Sequence, residues 1–200
     1  MFLRPPTGLK SVFELTSERL FLSVLSPSSA ERVSDYLVRN RSFHEPFHQI
    51  HDNSYFLPST QRRYLRADMD GFLAGSQCPF WIIKQSDPSL IVGRLAFSSL
   101  IRGALQSCLM GYHLDRKEEG KGYMTEAILC ACDYMFNTWK IHRIQADIMP
   151  ENQRSVHTIE RCGFKYSGTN EKYMAINGQW RDHATYALLN DEYFNPDIIR

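Results

Sequence analysis

The sequence predicts an α/β (α+β) chain: a mixed, mostly antiparallel sheet covered by helices on both faces. Three observations predict it. Between residues 79 and 114, β-rich runs follow one another without a helix, which implies antiparallel neighbours. After residue 117, a strand-like run lies between two helical patterns, which implies a parallel crossover. The chain then closes on Asn177-Gly178 between strand-like runs, a two-residue hairpin signal.

The elements follow in order. Arg19 to Leu25 alternates apolar and polar residues and reads as a first strand. Ser26-Pro27-Ser28-Ser29 supplies helix start signals, since proline is tolerated in a first turn. Val33, Tyr36 and Leu37 then share one helical face. Ser42 to Pro58 carries Phe43, Phe47, Tyr55 and Phe56 with two prolines and reads as an aromatic-rich loop. Ser59 reads as the N-cap of a helix to about Ala74, with Leu65, Met69, Phe72 and Leu73 as its stripe. Phe80 to Ile83, Leu90 to Ser99 and Gln106 to Leu114 are strands, with a turn at Asp87-Pro88. Met124, Ala127, Ile128, Ala131 and Met135 mark one face of a helix over 122–137. Arg143 to Met149 is a strand, and Pro150-Glu151-Asn152 leads into a helix ending at Cys162-Gly163. Tyr173 to Ile176 and Gln179 onward form the hairpin, whose type I′ turn needs positive φ at both central residues.

Composition bounds the function. The 200 residues, without a linker or repeat, read as one domain over 1–200. Lys and Arg number 23 against 22 Asp and Glu, a net charge of +1, which excludes a basic nucleic-acid coater and an acidic disordered chain. Hydrophobic residues at 43% suffice for a core. No apolar run approaches the ~18 residues of a membrane span, and Met1-Phe2-Leu3-Arg4-Pro5-Pro6 has no apolar signal region. Five cysteines without a CxxC read as free thiols of a reducing compartment. A cytoplasmic location follows as the expectation.

The sharpest chemical signal runs from Gly111 to Ala127. A strand enters the turn Gly120-Lys121-Gly122 and then a helix N-terminus. Glycines let a ligand approach the backbone, and the free N–H groups of a first helical turn attract anions such as pyrophosphate. The turn is neither a Walker A loop nor a dinucleotide fingerprint. On spacing alone, a plain tight turn explains it equally well.

This segment resembles the acetyl-CoA-binding motif of the GNAT acetyltransferases, Gln/Arg-x-x-Gly-x-Gly/Ala followed by a helix. The motif falls on Lys117, Gly120 and Gly122, with Lys117 departing from Gln/Arg. Gly120-Lys121-Gly122-Tyr123-Met124-Thr125-Glu126-Ala127 is similar to the ribosomal-protein-alanine N-acetyltransferase (RimJ/RimL) branch. Asn152-Gln153-Arg154-Ser155, followed by Arg161-Cys162-Gly163-Phe164, is similar to the family's Asn-x-x-Ser helix ending in Gly-Phe. Asn177 to His183 is similar to the branch's terminal hairpin, and His44-Glu45-Pro46-Phe47 to its acceptor loop. The resemblance spans Leu15 to Tyr193.

The resemblance implies a three-layer αβα fold and acetyl-CoA as co-substrate, lying between the parallel strands 106–114 and 143–149. It places pyrophosphate on Gly120, Lys121, Gly122, Tyr123, Met124 and Thr125, with Leu114, Lys117 and Asn152 as further cofactor contacts. It implies direct attack by an amine, with Ser155 protonating the leaving thiolate and Asp147 at a base position. Capping explains Ser155 and Asn152 equally well, and a surface acid explains Asp147. The family's glutamate base falls on Met174 and its tyrosine acid on Ile159, so both are absent. Phe47 and Trp180 are acceptor-site candidates. No metal is expected, because Pro46 interrupts His44, His48 and His51 and no HExxH exists. His113 reads as a satisfied core histidine, and Arg62, Arg63 and Arg66 as a solvated face. The expected acceptor is a protein N-terminal α-amine, ribosomal-protein-like. A small amine (polyamine, amino-acid conjugate or antibiotic) and a non-catalytic CoA-binding regulator are the alternatives. A monomer or a homodimer is expected, with no membrane or direct nucleic-acid partner.

Overall fold

The computed structural model describes residues 10–191; the readings on Met1 to Pro6 and on Tyr193 lie outside them. Eight strands, β1 (Ser11–Thr16), β2 (Leu20–Leu25), β3 (Cys78–Lys84), β4 (Asp87–Ile101), β5 (Ser107–Leu114), β6 (Arg143–Ile148), β7 (Lys165–Ile176) and β8 (Gln179–Leu189), make one sheet in the order β1-β2-β3-β4-β5-β6-β8-β7. Four helices cover it: α1 (Ala30–His44), α2 (Pro58–Leu73), α3 (Tyr123–Asn137) and α4 (Gln153–Arg161).

Period-two alternation divides the core between the two faces. In β3, Trp81 and Ile83 join Leu25, Val33, Tyr36, Leu37 and Leu65 beneath α1 and α2. Phe80 and Ile82 point the other way and join Leu22, Leu95, Phe97, Ala127, Ile128, Ala131 and Ile159 beneath α3 and α4. This is the three-layer αβα arrangement that the sequence predicts. At the hairpin, Asn177 and Gly178 have φ of 45° and 74°, as a type I′ turn requires.

Several boundaries differ from expectation. An additional strand, β1, pairs with β2 at the sheet edge. The region expected as a loop from Ser42 begins inside α1, which runs to His44; Glu45 is still αR, and Pro46 has no N–H to continue the helix. Two short 3₁₀ turns, Glu45–Phe47 and Asn53–Phe56, follow. Helix α2 starts two residues earlier than expected: Leu57 is the N-cap and Pro58 occupies the first turn, so Ser59 is not the cap. The turn after β3 falls on Gln85-Ser86, leaving Asp87-Pro88 to open β4. Finally, β7 begins at Lys165, well before Tyr173.

One pairing positions the site. Strands β5 and β6 are parallel and meet only at Ser107↔Arg143, Cys108↔Ile144 and Leu109↔Gln145. Beyond these, β5 stays paired with β4 as far as Leu114↔Gly93, and β6 with β8 as far as Ile148↔Ala184. A wedge therefore opens between 110–114 and 146–148.

Candidate active site

The turn at the wide end of the wedge is built by backbone geometry. Gly120 and Gly122 have φ of 72° and 79°, a left-handed region costing other residues about 1–2 kcal/mol. A Cβ on Gly120 would meet nothing within 4 Å, and one on Gly122 only Arg19 Nη2 at 3.5 Å. The glycines thus serve the backbone path and leave open space above it. Gly122 is the N-cap of α3 and offers no side-chain cap, so the first-turn N–H groups of Tyr123, Met124 and Thr125 face outward uncapped.

This turn is anchored from afar. Glu126 Oε1 accepts from Ser17 Oγ and from the Arg19 backbone N–H, both at 2.7 Å, while Oε2 takes Arg19 Nε at 2.7 Å. Arg19 Nη1 also donates to the Lys121 carbonyl at 3.1 Å, and its guanidinium lies 4.6 Å from the Tyr123 ring centroid. These donors hold the Glu126 carboxyl below its ordinary value despite the opposing effect of burial. Ahead of the turn, buried Asp115 accepts from the Lys117 N–H and from Asn40 and Arg39 of α1. The Lys117 side chain is exposed. Buried Glu118 takes Lys84 Nζ at 2.7 Å and Lys121 Nζ at 3.0 Å, so Lys121 is already held beside the turn.

Across the wedge, Asn152 caps α4: its Oδ1 accepts from the Ser155 N–H at 3.3 Å. Ser155 Oγ donates to Tyr112 Oη at 2.7 Å, and Tyr112 Oη donates to the Ser155 carbonyl at 3.0 Å. Tyr112 packs with the α3–α4 core, and desolvation raises its phenol above the ordinary range. Arg154 Nη1 donates to both Glu119 carboxylate oxygens at 3.0 Å, and its Cζ lies 4.7 Å from the Phe43 ring centroid. Asp147 lies on the other face of the sheet. Its neighbours Ala146 and Ile148 point toward α4, so its carboxylate points away. There Asp147 Oδ1 accepts from Thr185 Oγ1 at 2.6 Å, and both oxygens are within reach of Gln145 Nε2. Ser155 and Asp147 thus approach the wedge from opposite faces, and the structure does not bring them into contact.

On the Asp147 face, imidazoles crowd the end of β5. The rings of His44, His48 and His113 lie 4.9–5.3 Å apart. His44 Nε2 donates to the Leu114 carbonyl at 2.8 Å, and His113 Nδ1 shares a 2.7 Å hydrogen bond with Tyr36 Oη. His113 is therefore the partnered histidine that the sequence suggested. Desolvation, then the positive ends of His44, His51 and Arg94, lowers His48 to about 4. Among the described residues no cluster has the makings of a metal site.

The hairpin tip docks on this linker. The Asn177 N–H donates to the His48 carbonyl at 2.9 Å, and a Cβ on Gly178 would come within 3.1 Å of Ile50 Cδ1. Phe47 sits half-buried on the linker, and Trp180 is 66% exposed on the hairpin. Trp180 lines an open recess of about 750 Å³ with Pro150, Glu151 and Asp182. A second recess, of about 430 Å³, lies between α1 and the linker against His44, His48, Tyr55 and Phe56.

Sequence reasoning missed Tyr112, Arg19, Glu126 and the Glu119–Arg154 pair. Each acts through a contact distant in the chain, for which no local spacing exists. Tyr112, Glu119, Glu126 and Arg154 lay inside the quoted motifs but carried no role there; Arg19 lay outside them.

The chain matches a family model described as acetyltransferase (GNAT) domain over residues 19–165. It is 36% identical over 179 residues to the [ribosomal protein uS5]-alanine N-acetyltransferase of Escherichia coli, covering 90% of this chain and 92% of that one. Among solved structures, a ribosomal-protein-S5-alanine acetyltransferase from Vibrio fischeri superposes with a TM-score of 0.86 at 26% identity, covering 92% of this chain and all of that one. The fold is also that of Mycobacterium smegmatis RimJ, solved in complex with CoA-disulfide, at a TM-score of 0.81 and 24% identity, covering 90% and 86%.

Proposed function

Because this chain belongs to the GNAT acetyltransferase family, we propose that it moves an acetyl group from acetyl-CoA to a protein N-terminal α-amine, that of a ribosomal protein. The observation that carries this reading is the wedge between β5 and β6 with an uncapped helix N-terminus at its wide end. The fit to the co-substrate is physical. The side of 110–114 that β6 leaves unpaired offers backbone partners for amides, and Gly120 to Thr125 offers N–H groups to a pyrophosphate. Leu114, Lys117 and Asn152 flank that path. The thioester then lies in the wedge, reached by Ser155 from one face and by the acceptor from the other.

The acceptor chemistry agrees. An α-amino group titrates near ~7.7–8.0, so a useful fraction is neutral and nucleophilic at pH 7, whereas a lysine near ~10.4 is mostly charged. Asp147, held by Thr185 and Gln145 on the acceptor face, is placed to receive the amine proton, directly or through water. Ser155 faces the leaving sulfur. Phe47 and Trp180 wall the approach. The 36% identity to a uS5-alanine acetyltransferase favours a peptide beginning with alanine. The reading is of one domain acting in the cytoplasm; no helix among the described residues is long and apolar enough to cross a membrane.

The test is an acceptor scan with release of free CoA thiol as the readout. Peptides with a free N-terminal alanine should turn over. Their N-terminally blocked forms carrying an internal lysine, and spermidine, should not. Turnover of spermidine alone would replace this acceptor with a small amine. Binding of CoA with no turnover on any amine would favour a regulator.

A further inference from the structure

We propose that Tyr112 is a positioning residue for acetyl transfer: its hydroxyl holds the Ser155 hydroxyl at the leaving sulfur and keeps it hydrogen-bonded as its proton turns outward. The inference rests on the acetyl-CoA reading above.

Two hydrogen bonds join these residues. As the structure stands, Ser155 Oγ donates inward to Tyr112 Oη, and Tyr112 Oη donates to the Ser155 carbonyl. Ser155 is therefore arranged with its proton on Tyr112 rather than in the wedge. To serve the sulfur, the Ser155 O–H must rotate away. Left alone, Oγ would lose its partner in a partly buried place. Tyr112 prevents this, because its O–H can turn from the Ser155 carbonyl to Oγ without moving the ring. Ser155 then accepts from Tyr112 while donating to sulfur, and a hydroxyl that accepts a hydrogen bond becomes a stronger donor.

The proton balance is complete without Tyr112 ionising. The amine nitrogen forms the new N–C bond, the C–S bond breaks, and its electron pair leaves on sulfur. Ser155 gives its proton to sulfur, and the proton that Asp147 takes from the acceptor nitrogen returns to Ser155 through water. Desolvation keeps the Tyr112 phenol protonated, so it can orient Ser155 but is a poor proton source. The position fits as well. Tyr112 is on β5 just past the last residue paired with β6, and it bonds to the first turn of α4 across the wedge.

The test compares Tyr112→Phe, Ser155→Ala and the double variant. Tyr112→Phe is expected to lower kcat by about tenfold, the worth of one hydrogen bond. The KM for acetyl-CoA and the affinity for free CoA should stay within about twofold, since only the transition state uses the oriented proton. In the Ser155→Ala background, Tyr112→Phe should lower kcat no further. In urea unfolding of the ligand-free protein, the double variant should lose less than the sum of the singles. Multiplicative losses of kcat, an unchanged kcat in Tyr112→Phe, or an effect confined to KM would overturn the proposal while the acetyl-CoA reading stands. A wild-type protein that neither binds CoA nor releases its thiol would remove that reading, and the proposal with it.

Discussion

Acidification should weaken this protein through its imidazole cluster, well above the range in which carboxylates titrate. His48 has an ordinary value of 6.5, lowered to about 4 by desolvation and then by His44, His51 and Arg94. The sign follows from linkage. Above pH 6.5 both folded and unfolded chains carry a neutral His48, and its contribution is complete. Below 6.5 the unfolded chain takes up a proton that the folded chain refuses, so stability falls until pH reaches the folded value. A difference of about 2.5 units at ~1.36 kcal/mol each gives a loss of about 3 kcal/mol in the limit, most of it reached by pH 4.5. His44 and His113, also lowered by desolvation, lose in the same direction. Asp115, Glu118 and Glu126 are lowered from 3.8, 4.5 and 4.5, so their losses begin only at the foot of the histidine window and continue below it. Glu14, raised by burial, acts in the opposite sense. The assay is equilibrium urea unfolding at pH 7.5, 6.5, 5.5 and 4.5 at constant ionic strength. His48→Phe keeps an aromatic ring and the backbone bond to Asn177 but cannot titrate, so its profile should be flatter by about 2–3 kcal/mol across the range. A wild-type profile flat between pH 6.5 and 5, or a His48→Phe profile as steep as wild type, would refute the reasoning.

Three further outcomes are expected. Gly93→Ala places a Cβ 2.9 Å from the His113 carbonyl and 3.0 Å from Leu114 Cδ1, so it should destabilise by about 1–3 kcal/mol or more, read by thermal melt. Gly122→Ala meets only Arg19 Nη2 at an ordinary 3.5 Å but must hold φ near 79°; it should cost about 1–2 kcal/mol and weaken CoA in calorimetry, because the first-turn N–H groups lose their direction. Arg19→Ala releases Glu126 and the Lys121 carbonyl, an exposed anchor of the turn. It should weaken CoA severalfold while Lys10→Ala, exposed and far from the turn, leaves binding unchanged.

What was legible in the sequence is what is local. Gly120 and Gly122 announce left-handed backbone, Asn177-Gly178 announces its hairpin, and the Met124 to Met135 stripe announces a helix with one buried face. Strand β7 was mostly illegible because an edge strand wet on both faces has no apolar alternation: Lys165 to Glu171 is polar or small apart from Tyr166. Strand β1 was missed because Val12 is exposed beside inward Phe13 and Leu15, which blurs its period of two. Proline suggested too early an end for α1, because Pro46 removes only its own N–H, and Glu45 stays αR with its N–H bonded to the Arg41 carbonyl. At the site, Ser155 and Asn152 were legible as types at a spacing. Their partners were not: Tyr112 is 43 residues from Ser155, and Arg19 is 107 from Glu126.

The short seam between β5 and β6 also has a mechanical meaning. Five strands lie on one side of it and three on the other, and only three residue pairs stitch the two slabs together within the sheet. Side chains that straddle it add to the stitching, among them Ser155 with Tyr112 and Arg154 with Glu119. A molecule lodged in the seam would thus act as mortar, and amide exchange in β6 and β8 should slow together when it arrives, while exchange within β2 and β3 hardly changes.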